Sequence, residues 1–168
     1  MKKILVILGI GSNLGNRKKN IHSAIELLCK HKKIHIIQVS KLLKNPPQEG
    51  LIGPYFLNGA IKLETSLGPR ELVSFCKSIE KSLGRKKTHG PNKTSRTIDL
   101  DILFYGNKII NTKTLKIPHP KLHKRNFVLI PLKEIAGDFV HPVLKKSIKE
   151  LHSHQHNKLS KCSTKVHI

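Results

Sequence analysis

From Thr97 to Tyr105 the chain reads Thr-Ile-Asp-Leu-Asp-Ile-Leu-Phe-Tyr, an apolar run with a carboxylate at two alternate positions. Successive strand residues point to opposite faces of a sheet. As a strand, this segment turns Ile98, Leu100, Ile102 and Phe104 to one face and Asp99 and Asp101 to the other. Only a sheet with one face under a core and the other open accommodates both sets. Tyr55–Glu64 obeys the same rule: Tyr55, Leu57, Gly59, Ile61 and Leu63 share one face, and Phe56, Asn58 and Ala60 share the other. Two carboxylates, an aromatic ring and an amide are therefore expected on one uncovered surface.

The remaining elements fall into order around these two strands. Ile4–Ile10 is a continuous apolar run, as in a strand buried on both faces. Asn16 is placed to cap a helix carrying Ile21, Ala24, Ile25 and Leu28. Ile34–Leu43 reads as a further strand, and the two prolines of Asn45–Gly50 mark a loop. Pro69 suits a first helical position, and Leu72, Cys76, Ile79 and Leu83 form the apolar stripe of a second helix. The order βαββαβ predicts an α+β, ferredoxin-like sandwich, with a C-terminal hairpin around Asn107-Lys108 and one or two short helices. At 168 residues one domain is expected, spanning 1–152, followed by a basic, flexible tail over 153–168.

Aspartates at alternate strand positions lie about 7 Å apart at the Cα. They repel unless a cation joins them, and Mg²⁺ held by one or two carboxylates and phosphate oxygens suits the pattern. The segment before them, Gly84–Arg96, carries Arg85, Lys86, Lys87, Lys93 and Arg96 and no acidic residue. A basic loop over a metal-bound phosphate is the arrangement of phosphoryl-transfer sites. Gly9–Gly15 lacks the Gly-Lys-Ser/Thr ending of a P-loop and has Leu14 where a dinucleotide fingerprint needs glycine.

Charge and cysteines exclude more than they suggest. The 32 basic residues against 10 acidic give a net charge of +22, which alone points to a polyanionic partner. Five of the basic residues are arginine and the rest are lysines spread along the chain. Base and phosphate readers rely on arginine's bidentate fork, so this excess reads as background composition. A small basic RNA-binding module on a ferredoxin-like sheet is the alternative, but Asp99 and Asp101 would repel phosphates there. Cys29, Cys76 and Cys162 form no CxxC pair and suggest neither disulfide nor zinc. His152, His154 and His156 read as solvated tail residues. The short apolar run after Met1-Lys2-Lys3 leads into Gly-Ile-Gly-Ser-Asn rather than a cleavage site, so a cytoplasmic protein without membrane segments is expected.

Gly9–Gly15, Pro46-Pro47, Phe56-Leu57-Asn58, Arg96–Ile102, Pro118-His119 and Arg125-Asn126-Phe127 occur in the order and approximate spacing of hydroxymethyldihydropterin pyrophosphokinases. The chain resembles that family over roughly residues 4–152. The resemblance implies transfer of the β,γ-pyrophosphoryl group of ATP to the hydroxymethyl oxygen of 6-hydroxymethyl-7,8-dihydropterin, releasing AMP, in folate biosynthesis. It further implies two Mg²⁺ ions on Asp99 and Asp101, with Arg85 and Arg96 stabilising the transferring group. Asn58, Phe56, Phe127 and Pro46 would bind the pterin, and His119, Arg125, Glu80 and Lys87 would bind ATP. Gly11 and Ser12 would pack beneath the site. Small-molecule substrates, a monomer and no nucleic-acid partner follow. The chain departs from the family pattern between Lys86 and Ser95, where lysines stand in place of arginine and an aromatic is missing. Slower lid closure than in an Arg-rich relative is the expectation.

Overall fold

The computed structural model describes residues 2–47, 53–86 and 95–163, with side chains described through 157. Its elements are β1 (Ile4–Ser12), α1 (Arg17–Cys29), β2 (Ile34–Val39), β3 (Leu43–Asn45), β4 (Phe56–Thr65), α2 (Pro69–Ser82) and β5 (Asp99–Tyr105). Two short strands β6 (Ile110–Asn111) and β7 (Lys116–Ile117) follow, then α3 (Asn126–Ala136) and α4 (Ile148–Ser163). The main sheet has the order β2-β4-β1-β5, all neighbours antiparallel, with β3 extending the β2 edge along β4. This is the ferredoxin-like arrangement expected from the element order.

Local signals account for the helix starts. The Asn16 side chain accepts the Lys19 N–H at 3.0 Å, satisfying one donor of the first turn of α1. In α2 Pro69 occupies the first turn, and Glu71 reaches back to the Gly68 N–H at 2.6 Å. Both helices cover one face of the sheet. Ile21, Ala24 and Leu28 of α1 and Leu72, Cys76 and Ile79 of α2 pack on Leu8, Ile10, Ile61, Leu63, Leu100 and Ile102. Cys76 is an inert packing residue, since burial pushes its thiol up to about 12.

The second face is half covered, not open. Leu129, Leu132, Ile135 and Ala136 of α3, with Ile148 and Leu151 of α4, close over Ile7, Ala60, Leu103 and Phe104. Phe104 was expected beside Ile98, Leu100 and Ile102, and it lies on the opposite face. The cause is a bulge: Leu8 pairs with Ile102 and Ile7 with Phe104, so Leu103 has no partner on β1 and the alternation reverses there.

Other expectations shift as well. The strand expected over Ile34–Leu43 ends at Val39, because Ser40 turns its Oγ to accept the Ala60 N–H at 2.9 Å and the chain resumes as β3. The hairpin turns at Thr112–Leu115 rather than Asn107-Lys108, since Thr112 Oγ1 accepts the Leu115 N–H at 3.0 Å and β6 pairs with β7 around it. Where a flexible tail was expected from Ser153, the backbone continues as helix to Ser163. Leu151 is buried against α3's cluster, and Gln155 donates to the Lys124 carbonyl at 3.3 Å, which ties that stretch down.

Candidate active site

The uncovered half of the second face is a cavity of about 400 Å³ whose floor is glycine. On this face β1 contributes Gly9 and Gly11. Gly11 stands between Asn58 of β4 and Asp99 of β5, and Gly9 between Ala60 and Asp101. The central strand therefore raises no side chain between the amide row and the carboxylate row. A side chain at 11 would displace Asn58, since a Cβ there would lie 2.6 Å from Asn58 Oδ1. The expectation that Gly11 underlies the site holds in this direct sense, and Ser12 is fully buried.

The walls bring together most of the residues singled out from sequence. Pro46, Phe56, Asn58, Arg96, Asp99, Asp101, His119, Arg125 and Phe127 all line this cavity. Asn58 Nδ2 donates to Asn45 Oδ1, so the β3 edge orients the amide that faces the cavity. The Arg125 guanidinium sits 5.7 Å from the Phe127 ring centre, linking a basic group to the aromatic wall. His119 is anchored by donating its N–H to the Leu103 carbonyl at 3.0 Å, the residue left unpaired by the bulge. Its Nδ1 accepts the Lys121 N–H at 3.2 Å, leaving Nε2 as the outward donor. Burial, and then the charge of Arg125, hold the His119 pKa below its ordinary value, so the ring is neutral at pH 7.

Asp99 is clamped. Arg85 Nη1 donates to its Oδ1 at 2.6 Å and Arg96 Nη1 to its Oδ2 at 2.7 Å. The Asp101 carboxyl is pushed up to about 6, by burial first and by Asp99 second. Glu80 is not at the surface of the cavity: its side chain is 3% exposed beneath β5. There it accepts the Leu100 N–H at 2.8 Å and meets Arg85 at 2.6 Å and Lys77 at 3.0 Å. Glu80 thus holds the strand that carries both aspartates. Lys87 lies outside the described residues, as does most of the lysine-rich segment between Lys86 and Ser95.

A second cavity, of about 220 Å³, opens on the other side of the carboxylates. Val73, Lys77, Ile102, Leu115 and Lys116 line it, and it shares Asp101, His119 and Pro120 with the first. Sequence reasoning passed over Lys77, Asn45 and Asn13. Asn13 accepts the Arg96 N–H at 2.7 Å and returns its own N–H to the Arg96 carbonyl at 3.2 Å, fixing the approach to β5. Its place inside Gly9–Gly15, one of the stretches already singled out, was the available signal.

Comparison with known proteins agrees with this layout. The chain is 48% identical over 143 residues to the folic acid synthesis protein fol1 of Pneumocystis carinii, covering 85% of this chain and 19% of that protein. It spans about a fifth of the length of such relatives, the fission yeast and Dictyostelium discoideum proteins included. The 2-amino-4-hydroxy-6-hydroxymethyldihydropteridine pyrophosphokinase of Aquifex aeolicus is 43% identical over 150 residues, covering 86% of this chain and 88% of its own length. A crystal structure of Plasmodium falciparum HPPK-DHPS with pteroate superposes with a TM-score of 0.77 over 95% of this chain and 44% of that one. At 16% identity that likeness concerns the fold. The model of the 7,8-dihydro-6-hydroxymethylpterin-pyrophosphokinase (HPPK) family matches residues 7–137, from the strand with the glycine floor to the end of α3, and the chain belongs to that family.

Proposed function

We propose that the chain transfers pyrophosphate from ATP to the hydroxymethyl group of 6-hydroxymethyl-7,8-dihydropterin, releasing AMP, as a step of folate biosynthesis. The observation that carries this reading is the pair of cavities meeting at Asp101 and His119, with Asp99 beside them. The larger suits a flat heterocycle: Phe56 and Phe127 offer ring faces, Pro46 packs at the edge, and Asn58 presents an amide to a lactam edge. The smaller, with Val73, Ile102 and Leu115, suits the adenosine of ATP. The polyphosphate then crosses the carboxylates, within reach of Arg85, Arg96, His119 and Arg125.

The donor set fits Mg²⁺. Asp99 and Asp101 are hard oxygen donors on one strand face, and the Asp101 carboxyl, pushed up by burial first and by Asp99 second, is a charge that a bound cation would stabilise. Two ions held there with phosphate oxygens would supply charge neutralisation at the phosphates and acidify the pterin hydroxyl. The chain's own residues do the rest. The pterin oxygen is held in line with the β-phosphorus; the new O–Pβ bond forms as the bond from Pβ to the α,β-bridging oxygen breaks, and that oxygen leaves with AMP. The hydroxyl proton passes to solvent or phosphate, since among the described residues Asp99 and Asp101 are assigned to the metal and no other side chain of the cavity is placed as a general base. Neutral His119 donates from Nε2, and the arginines stabilise the developing charge. Glu80 acts behind β5 rather than on ATP, and Lys87 is assigned to ATP binding from its place in the basic sequence Arg85-Lys86-Lys87 alone. In this reading the enzyme is a cytoplasmic monomer acting on small molecules; gel filtration and cell fractionation test that part.

The decisive assay incubates the protein with hydroxymethyldihydropterin, ATP and Mg²⁺ and follows nucleotide products. Pterin-dependent AMP without ADP is the expected result. No AMP, together with tight salt-sensitive RNA binding, would overturn the assignment.

A further inference from the structure

The sheet edge that reaches the cavity changes phase between β2 and β3. Val39 pairs with Ile61 and Leu43 with Asn58, so Ser40, Lys41 and Leu42 stand opposite only Gly59 and Ala60. Ser40 is locked to Ala60: its N–H donates to the Ala60 carbonyl and its Oγ accepts the Ala60 N–H, each at 2.9 Å. Leu42 packs over Gly59. Lys41 is therefore the extra residue of a bulge. Side chains take up its main-chain groups. Ser40 Oγ donates to the Lys41 carbonyl at 2.9 Å, and Glu134 accepts the Lys41 N–H with both carboxylate oxygens, at 3.2 and 3.1 Å. Glu134 lies on α3, 93 residues away in sequence.

The same helix enters the cavity at its other end, through Phe127 and Val128. Glu134 stands about two turns further along. Between these points Leu129 and Leu132 seat α3 on Ile7, Ala60, Leu103 and Phe104, which makes the helix a rigid strut. Past the bulge, β3 brings Asn45 opposite Phe56 and its side chain to Asn58, and Pro46 follows at the cavity wall. A slip of the bulge by one residue would turn β3 over and carry Asn45 away from Asn58. We propose that Glu134 is a positioning residue for the pterin half of the cavity. By pinning the Lys41 bulge it sets the register of β3, and with it Asn45 and Pro46, against Phe127 on its own helix. The inference rests on the reading of this cavity as a pterin site and adds what holds two distant wall segments together. A carboxylate suits the task, since a charged acceptor strengthens the bond to a main-chain N–H. Glu134 is exposed, so water screens that bond and its effect is local rather than global.

The test reads register and substrate selectivity separately. Hydrogen exchange of the β3 amides that pair with β4 is followed by NMR in the whole chain without ligands, and the KM of each substrate is measured on the same proteins. Glu134→Ala is expected to speed that exchange and raise the pterin KM roughly three- to tenfold, with kcat and the ATP KM within about twofold of wild type. Glu134→Gln keeps an acceptor oxygen within reach of Lys41 and should restore most of both. Lys133→Ala, the exposed neighbour on α3, should change neither. Should Glu134→Ala fail to fold, Glu134→Ser, too short to reach Lys41, carries the same expectation. An unchanged pterin KM in the Ala variant, an equal rise in the ATP KM, unchanged β3 exchange or no rescue by Gln overturns the proposal. Pterin-dependent AMP release by wild type alongside any of these removes this inference alone. Faster β3 exchange in the Ala variant of a chain whose wild type releases no AMP removes the assigned reaction and leaves the register pin standing.

Discussion

The two faces of the main sheet are made from the same strands, yet they answer to different physics. Toward α1 and α2, Leu8, Ile61, Leu63 and Leu100 are sealed into one apolar layer, where close packing sets the energetics. Toward the cavity, the neighbouring positions hold Gly9, Gly11, Asn58, Asp99 and Asp101, half-buried polar groups over a floor without side chains. The first face stabilises the fold. The second carries two carboxylates on one strand and is partly offset by the apolar cap of α3 and α4 at its other end. Stability and chemistry are thus separated by a single residue step along each strand.

Substitutions on each face test that separation. Leu8→Ala should cost about 2–5 kcal/mol of stability by emptying a fully buried site, with turnover per folded molecule unchanged in the cold. Loss of turnover before unfolding would show that the faces are not independent. Asp99→Asn should lower kcat on the order of 10²-fold or more while the melting temperature moves by only a few degrees; retained activity with Mg²⁺ would take Asp99 out of the metal site. Asp101→Asn sharpens the contrast from the other side. With the folded carboxyl pushed up to about 6 and the unfolded one near 3.8, the folded state holds the proton more tightly. Metal-free wild type should therefore gain stability relative to Asp101→Asn as pH falls from 7 through 6 toward 4, with the lowered histidine pKa values acting equally on both proteins. At pH 7 the asparagine variant should be more stable by on the order of 2 kcal/mol, an advantage that fades by pH 4. Thermal melts across that range in EDTA check the sign.

Smaller effects are expected at the floor and walls. Gly11→Ala should push Asn58 off Asn45 and raise the pterin Kd about tenfold, near 1.4 kcal/mol, with little change in ATP binding. Equal losses for both ligands would mean the floor shapes the whole cleft. Phe56→Tyr keeps the ring face and should stay within about threefold of wild-type pterin affinity, by titration of pterin fluorescence.

Much of this layout was legible before the fold was seen. Alternation placed Asp99, Asp101, Phe56 and Asn58 on one face, because a period of two leaves no freedom until the strand is interrupted. It failed at Phe104, since the bulge at Leu103 carries no glycine to mark it. Glu80 was harder. Lys77 three residues earlier suggests a surface pair, and only the tertiary approach of β5 buries the carboxylate against the Leu100 N–H. The stripe of Leu129, Leu132 and Ile135 gives the period of α3, but helical spacing does not say which surface it will cover.

Leu103 also sets what this architecture can tolerate. The extra residue works as a phase shifter: upstream of it β5 keeps time with the aspartates, downstream with the C-terminal cap, and its spare carbonyl serves as the peg for His119. Removing it would exchange the faces of Phe104 and Tyr105 and unhook the histidine in one stroke. Insertions or deletions elsewhere in the loops cost length; here a single codon would desynchronise the site from its scaffold.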